Sequence, residues 1–338
     1  MTSAGSVLPS MRARLLRPSQ WANARSLWGL AGIVLLAILL SPTASDGSRI
    51  FLEAGNLTDI LRQVTVIGII ALAMTFVILT AGIDLSVGSI LALSTGVVAM
   101  IVTKVPPGAG YPYAISRAIV AALAISTAAG TLNGVVIATM GVQPFIVTLA
   151  SMIGVRGLAK WLTGNANIDI GFGQDAAAAF AAFFHRKAVV IGSYAVLAVL
   201  FWVVLGRTVF GRHVRAIGDN EKAGRYTGLP IRSVKIWVYS LSGLLSGFAG
   251  VLYAAENHQG NPNSGVAYEL DAIAAVVIGG TRLAGGKGTI TGTIIGTLIM
   301  GILTNMLRLN NVDSNVEMMI KAVLIVLAVA AQGRGASE

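Results

Sequence analysis

The amino-acid sequence predicts an all-α protein, a polytopic bundle of transmembrane helices. Of its 338 residues, 55% are hydrophobic and 11% are charged, whereas charged residues make up about a quarter of an ordinary soluble domain. The mean hydropathy is +0.79. The apolar residues are gathered in runs close to the about 20 residues that a helix needs to cross the hydrocarbon of a bilayer. This pattern is typical of a polytopic membrane protein.

About ten apolar segments are predicted to cross the membrane. They lie at residues 26–41, 63–81, 87–103, 115–139, 142–163, 188–206, 236–256, 268–281, 289–308 and 316–332. The segment 268–281 is short for a span and could instead re-enter from one face, covered by protein rather than lipid. A crossing there puts Arg282, Lys287 and Arg334 on the same side as the other basic residues, which favours ten crossings.

A charged segment, the island, interrupts the apolar chain at residues 206–235. It carries seven Lys or Arg and two acids. Such a segment cannot lie in hydrocarbon, and its basic excess is typical of a cytoplasmic loop. Six crossings from a cytoplasmic N-terminus bring the chain back to the cytoplasm at this point. The sequence therefore predicts a basic cytoplasmic segment at 1–25, a transmembrane domain at 26–332 and a short tail at 333–338.

A short amphipathic helix is predicted inside the island. It begins near Asn220, a favoured N-cap residue, and ends at Gly228, while Pro230 prevents its continuation. A short helix parallel to the membrane suits a groove of a cytoplasmic protein. The alternative is a solvated loop whose charges only set the orientation of the chain.

Glycine pairs predict close packing between helices. Gly243 and Gly247 form one small-xxx-small pair, and Gly292 and Gly296 form another. In lipid, where no hydrophobic effect drives helices together, such pairs let two backbones approach closely.

Two further local features are expected. The Ala/Phe stretch within residues 164–187 could form a short surface helix, and Glu317 and Lys321 are spaced for an ion pair on the last helix.

Several functional classes find no support in the sequence. The chain has no cysteine, which excludes disulfides and thiolate metal sites. His185, His213 and His258 are far apart in sequence and in predicted topology, so we interpret them as solvated loop residues. The stretch AGGKGT at 284–289 is not a phosphate-binding loop, because Thr281 stands where the leading Gly is needed. The basic residues lack the aromatic interleaving that nucleic-acid binding requires.

Four stretches of the chain carry a resemblance to a known family. They are TAGIDLSVGS at 80–89, NGVVIATMGVQPFIVTLAS at 133–151, AIGDNEKAGRYTGLPIRSVKI at 216–236 and YELDAIAAVVIGGTRLAGGKGTITGT at 268–293. With them, residues from about 56 to 329 resemble the integral-membrane subunit of bacterial ABC importers for ribose, xylose, arabinose and related sugars. The fold that this resemblance implies is an ABC importer permease of the bacterial inner membrane.

The resemblance also implies partners and contacts. A separate cytoplasmic ATPase subunit binds ATP, so this chain carries no cofactor of its own. A periplasmic sugar-binding protein delivers the monosaccharide, and a second permease subunit, identical or different, completes the pore. The expected ATPase contacts are Gly218, Asn220, Glu221, Ala223 and Gly228. The wider importer pattern of Glu-Ala-Ala, three residues and Gly is matched imperfectly, because Lys222 replaces the first Ala and Gly228 falls one place late.

Polar residues at three places in the chain are candidates for the substrate path. Asp84, followed by Ser86, either caps the next helix by accepting from the amide of Ser86 or Val87, or belongs to the path or gate. Asn133 either forms an interhelical hydrogen bond or contacts a sugar hydroxyl. Gln143, followed by a proline, either marks a span boundary or lines a cavity with freed backbone groups.

Arg156 is a further candidate, together with Lys160 one turn later. Their side chains either snorkel to the membrane interface or contact the substrate or its delivery protein. Few ionisable groups lie in mid-span, which fits a neutral polyol as cargo better than an ion-coupled carrier. The alternatives are a stand-alone secondary transporter and an importer permease for nucleosides or branched-chain amino acids. The sequence does not name the sugar.

Overall fold

A computed structural model describes residues 18–45, 47–105, 110–172 and 175–334. Of the predicted terminal segments, residues 1–17 and 335–338 lie outside this part. Thirteen α-helices are found in the described residues. They are α1 Pro18–Leu40, α2 Ala54–Leu79, α3 Val87–Val102, α4 Tyr111–Met140, α5 Pro144–Leu162, α6 Ala176–Phe184, α7 Lys187–Arg207, α8 Val209–Asp219, α9 Glu221–Tyr226, α10 Ile231–Glu256, α11 Tyr268–Ile278, α12 Ile290–Leu309 and α13 Ser314–Arg334.

Each of the ten predicted segments coincides with a helix. Six helices are long and apolar enough to cross a membrane, namely α2, α4, α5, α7, α10 and α12. Residues 26–40 of α1 and helix α3 are apolar but shorter. Helix α11 has 11 residues and is therefore only about 16 Å long, too short to cross alone. The predicted bundle of transmembrane helices is confirmed, whereas the count of ten spans stays a prediction.

The core of the bundle lies around α2, α10 and α12. From Ile69 to Leu79 almost every side chain of α2 is fully buried, because α2 packs against α7, α10, α11 and α12. Less than a third of the residues in the apolar windows of α4, α5 and α7 are buried, so these helices have partly or fully exposed apolar faces. Exposed apolar helix faces of this kind are suited to contact lipid or another subunit.

Both predicted glycine pairs lie where two backbones meet. A Cβ atom on Gly243 would lie 2.3 Å from the carbonyl oxygen of Ser126 in α4. One on Gly296 would lie 1.9 Å from the carbonyl oxygen of Ala275 in α11. Any side chain there would force the helices apart, so the expected close packing is confirmed. It joins α10 to α4 and α12 to α11.

The helices end in two groups at opposite ends of the bundle. At the end that carries α9, the α9 end, the Gly286 amide donates to the Leu79 carbonyl oxygen over 3.0 Å. At the other end, the Arg62 end, Arg62 pairs with Glu256 over 3.1 Å. Two short strands not predicted from the sequence, β1 Ile168–Asp169 and β2 Gln259–Gly260, also pair there in antiparallel fashion.

The Ala/Phe stretch forms α6, as expected. Asp175 caps it by accepting from the Ala178 amide over 2.9 Å. Ala177, Phe180 and Ala181 are buried against α3, α4 and α10. One face of this surface helix is therefore held by the bundle while the other remains open.

Candidate functional site

The island folds into two helices, α8 and α9. Asn220 begins α9, and its side-chain oxygen accepts from the Ala223 amide over 3.0 Å. The chain leaves the helix at Gly228, whose φ of +77° lies in the left-handed region that favours glycine. The predicted helix from Asn220 to Gly228 is thus confirmed. Because Tyr226 is 91% exposed, the last turn of α9 presents a large side chain outward.

Helix α8 was not predicted. Val214 and Ile217 are buried on one face, while Arg212 remains exposed. Thr208 caps the helix by accepting from the Gly211 amide. The signal was present in the sequence as apolar residues at helical spacing, but the density of charges led us to interpret the segment as a loop.

Helix α9 is tied to the start of α10. Lys235 of α10 donates to Glu221 over 2.8 Å, and Arg225 lies 3.5 Å from the other oxygen of the same carboxylate. Glu221 is partly exposed, so these pairs add little stability. Their effect is to fix the orientation of α9 relative to α10.

Gly218, a predicted ATPase contact, packs against other parts of the chain. A Cβ atom there would lie 1.7 Å from the Leu79 carbonyl oxygen and 2.4 Å from the Gly286 amide nitrogen. The end of α8 therefore touches the end of α2 and the loop that precedes α12. Gly218 is only partly exposed, unlike the outer face of α9.

Gln143 lies in a groove beside α9. The groove has a volume of about 640 Å³ and is lined by the α4–α5 turn, Glu221, Arg225 and the start of α10. Pro144 occupies the first turn of α5, which is where proline is tolerated in a helix. The structure thus places Gln143 at a helix boundary at the α9 end.

Asp84 is the centre of a buried hydrogen-bond network. It is fully buried and accepts from the Ser86 amide over 2.9 Å and from the Ser86 hydroxyl over 2.6 Å. Ser242 of α10 donates to its second oxygen over 2.7 Å. Asn133 of α4 donates to the Ser86 hydroxyl over 3.0 Å. The network joins the start of α3 to α4 and α10.

These contacts bear on two sequence-based interpretations. Asp84 does accept from the Ser86 amide, but Ser86 rather than Asp84 is the N-cap residue of α3. The expected polar contact of Asn133 with a neighbouring segment is present. Among the described residues Asp84 has no ion pair, so its carboxylate is stabilised by hydrogen bonds alone, as a buried polar group requires.

Arg156 lies apart from this network. Its guanidinium donates to the carbonyl oxygen of Pro262 over 2.9 Å and to that of Ser264. The loop between α10 and α11 thus holds Arg156 in place, and both its snorkelling to the interface and its contact with the substrate or the delivery protein stay predictions. This contact joins α5 to the loop between α10 and α11 at the Arg62 end.

Ion pairs cluster at the Arg62 end. The predicted pair of Glu317 and Lys321 is confirmed at 2.9 Å. Lys321 also lies 3.6 Å from Asp271, and Arg308 lies 3.6 Å from Glu317. This network joins α11, α12 and α13. The sequence showed only the pair within α13, because the other contacts connect distant parts of the chain.

The expectation that the histidines are far apart is wrong for one pair. The ring centroids of His185 and His258 are 5.1 Å apart, because α6 brings His185 to the end of α10. Arg62 lies 3.0 Å from His185 Nδ1. Burial, then Arg62 and His258, lower the pKa of His185. The described residues contain no group of three or more side chains suited to hold a metal ion.

The chain is similar to known transport proteins over most of its length. A family model described as branched-chain amino acid transport system / permease component matches residues 56–329. The ribose import permease protein of Escherichia coli is 43% identical over 305 residues, 89% of this chain and 91% of the relative. The L-arabinose ABC transporter permease protein of Azospirillum brasilense is 36% identical over 321 residues, 91% and 90% of the two chains. No solved structure matches the chain significantly.

Proposed function

The chain belongs to the family of permease components of ABC transport systems, and on that premise we propose that it imports a monosaccharide or a related polyol across the bacterial inner membrane. It is a transport subunit and not an enzyme. The observation that carries the choice of cargo is the 43% identity to a ribose import permease over about nine-tenths of both chains.

The family description leaves branched-chain amino acids as a second candidate cargo. Import of labelled D-ribose, L-arabinose, D-fructose and L-leucine by the reconstituted complex discriminates between them. We expect one of the sugars to be imported in an ATP-dependent manner and leucine to be excluded. Leucine import without sugar import would overturn the choice of cargo. Sugar accumulation by the permease alone, driven by an ion gradient, would instead favour a secondary transporter.

The proposed topology has ten crossings and a cytoplasmic N-terminus, with the α9 end inside. Helices α2, α4 and α7 end at the α9 end, whereas α5, α10 and α12 end at the Arg62 end, which supports this topology. Helix α11 is short, but residues 279–289 continue from it toward the α9 end, where Gly286 bonds to Leu79. The stretch α11 with 279–289 would thus cross while covered by protein, as irregular backbone in a membrane must be.

Thiol labelling in intact cells tests the orientation. Because the chain has no cysteine, Phe172→Cys and Lys222→Cys each introduce a single thiol. Phe172 is 81% exposed at the Arg62 end, and Lys222 is exposed on α9. A membrane-impermeant reagent is expected to label Phe172→Cys in intact cells and Lys222→Cys only in permeabilised cells. The opposite pattern would reverse the proposed orientation.

We propose that α9 contacts the ATPase through Asn220, Glu221, Ala223 and Gly228. Its exposed outer face and its tie to α10 through Lys235 support this role. Gly218 then transmits movement to α2 and the 284–287 loop by its backbone contacts. ATP binding by the partner would move α9, and the loaded binding protein at the Arg62 end would favour one arrangement through differential contacts.

A substitution at Gly228 tests coupling. Gly228→Val puts a β-branched residue at φ +77°, a conformation that costs an ordinary residue about 1–2 kcal/mol. We expect the exit of α9 to change and ATP hydrolysis to continue with less sugar imported per ATP. Gly228→Asn is the matched control, because asparagine adopts the left-handed conformation more readily. Normal coupling in Gly228→Val would argue against α9 as the coupling element.

We propose that two permease subunits enclose the substrate path. Among the six helices that are long and apolar enough to cross a membrane, α5 has the smallest buried share, which supports a second subunit beside it. Asp84, Ser86 and Asn133 would hold the gate in position from within the bundle. Gln143 would act at the inner end and Arg156 at the outer end of α5.

A further inference from the structure

A cavity of about 380 Å³ opens at the Arg62 end, inside a single subunit. Its walls come from α2, the end of α10, the start of α11, α12 and α13. This volume lies within the about 300–1,000 Å³ of ordinary small-molecule sites. It is at the small end of that range, so the cavity suits one small solute rather than a peptide.

The cavity extends along one face of α12. Thr297, Thr304 and Arg308 line it, and the distance from Thr297 to Arg308 along the helix is about 16 Å at 1.5 Å per residue. Thr297 is buried, whereas Arg308 is exposed. The cavity is therefore a slot that leads from the surface into the bundle.

The charged groups of the lining are already paired. Asp271 lies 3.6 Å from Lys321, and Glu256 pairs with Arg62 over 3.1 Å. Arg308 is held near Glu317. To bind one member of such an ion pair, a charged ligand would have to displace the other member, whose charge has the same sign as that of the ligand. A neutral ligand with hydroxyl groups can instead share their remaining donors and acceptors.

Aromatic and amide groups complete the lining. The ring centroids of Tyr253 and Tyr268 lie 6.0 Å apart at an interplanar angle of 79°. In this edge-to-face arrangement, aromatic surface in the lining can contact the C–H groups of a ligand. Gln63 and Asn257 line the cavity as well, and each is exposed. Amide side chains both donate and accept, as hydroxyl groups require.

We propose that this slot binds one neutral polyhydroxylated molecule inside each permease subunit, entered from the Arg62 end. The site lies among the helices of one chain and is separate from a path between two subunits. The choice of a sugar as its ligand rests on the proposed function. The slot would thus hold a molecule of the cargo class next to the Asp271–Lys321–Glu317 network, which connects α11, α12 and α13.

Protection of a single introduced thiol tests the proposal. Thr304→Cys places the only thiol of the full-length permease in the wall of the slot, and Gln63→Cys places one at its mouth. D-Ribose, L-arabinose or D-fructose is expected to slow labelling by a small thiol reagent. The expected slowing is about fivefold at a sugar concentration about four times the dissociation constant, since the unoccupied fraction falls as 1/(1 + [L]/Kd).

Controls make the outcome decisive. Phe172→Cys, outside the slot, is expected to react at the same rate with and without sugar, and L-leucine is expected to protect none of the variants. The proposal is overturned if no sugar protects either slot variant, if leucine protects equally, or if the slot thiols do not react at all. Wild-type import separates the two claims. Sugar import without protection rejects only the slot, whereas protection without import rejects only the proposed function.

Discussion

Gly218→Ala is expected to abolish coupled import and to lower the yield of folded permease. The added Cβ atom would lie 1.7 Å from the Leu79 carbonyl oxygen and 2.4 Å from the Gly286 amide nitrogen. Both neighbours are backbone atoms, so a change of side-chain rotamer cannot relieve the clash. The end of α8 must separate from α2, and the contact by which we propose that movement of α9 reaches the rest of the bundle would be lost. Overpacking of this kind costs about 1–3 kcal/mol or more.

Gly206→Ala is the matched control for this effect. It lies in the last turn of α7, near the same end of the bundle, and a Cβ atom there would meet nothing within 4 Å. In a helix this change is expected to stabilise by about 0.5–1 kcal/mol. The measurement is thermal stability of the purified permease together with sugar import by the complex. Wild-type import by Gly218→Ala would show that α8 does not press on α2 as described.

Asp84→Ala has the second large expected effect, a loss of stability of about 3 kcal/mol, since an unpaired buried donor costs about 1–3 kcal/mol. The change leaves the Ser86 amide, the Ser86 hydroxyl and the Ser242 hydroxyl without their acceptor. The start of α3 would then lose its attachment to α10. Thermal unfolding in detergent measures the loss, and import by the complex measures its consequence.

Asp84→Asn separates the hydrogen bonds from the charge. The amide oxygen can still accept from Ser86, and the Ser242 hydroxyl can turn to accept from the amide group. We therefore expect a smaller loss of stability than in Asp84→Ala. Equal stability of Asp84→Ala and the wild-type chain would show that the network does not hold α3 in place.

Local signals made part of this structure predictable. The apolar runs located ten helices, because each run is apolar over a continuous stretch of the chain, although not every run is long enough to cross a membrane alone. Asn220, Gly228 and Pro230 defined α9 through caps that act within a few residues. The glycine pairs of α10 and α12 indicated close packing, although the partner helices were not named by the pattern.

The remaining contacts depend on residues far apart in the chain. Asp84 and Ser242 are separated by 158 positions, and Arg156 and Pro262 by 106. No periodicity or motif records such pairs, so the polar network around Asp84 and the bonds from Arg156 to the α10–α11 loop could not be foreseen. The proximity of His185 to His258 was missed for the same reason. Helix α8 is different, because its amphipathic pattern was visible and was outweighed by its charge.

Helix α10 has a mechanical consequence. Its 26 residues form a rod about 39 Å long, bound to Glu221 near one tip and to Arg62 at the other. Ser242, which bonds to Asp84, lies close to the middle of that rod. A rigid helix that rotates about its midpoint moves its two ends in opposite directions by similar distances. In the arrangement proposed above, a displacement of α10 at its α9 end would therefore move its Arg62 end in the opposite direction.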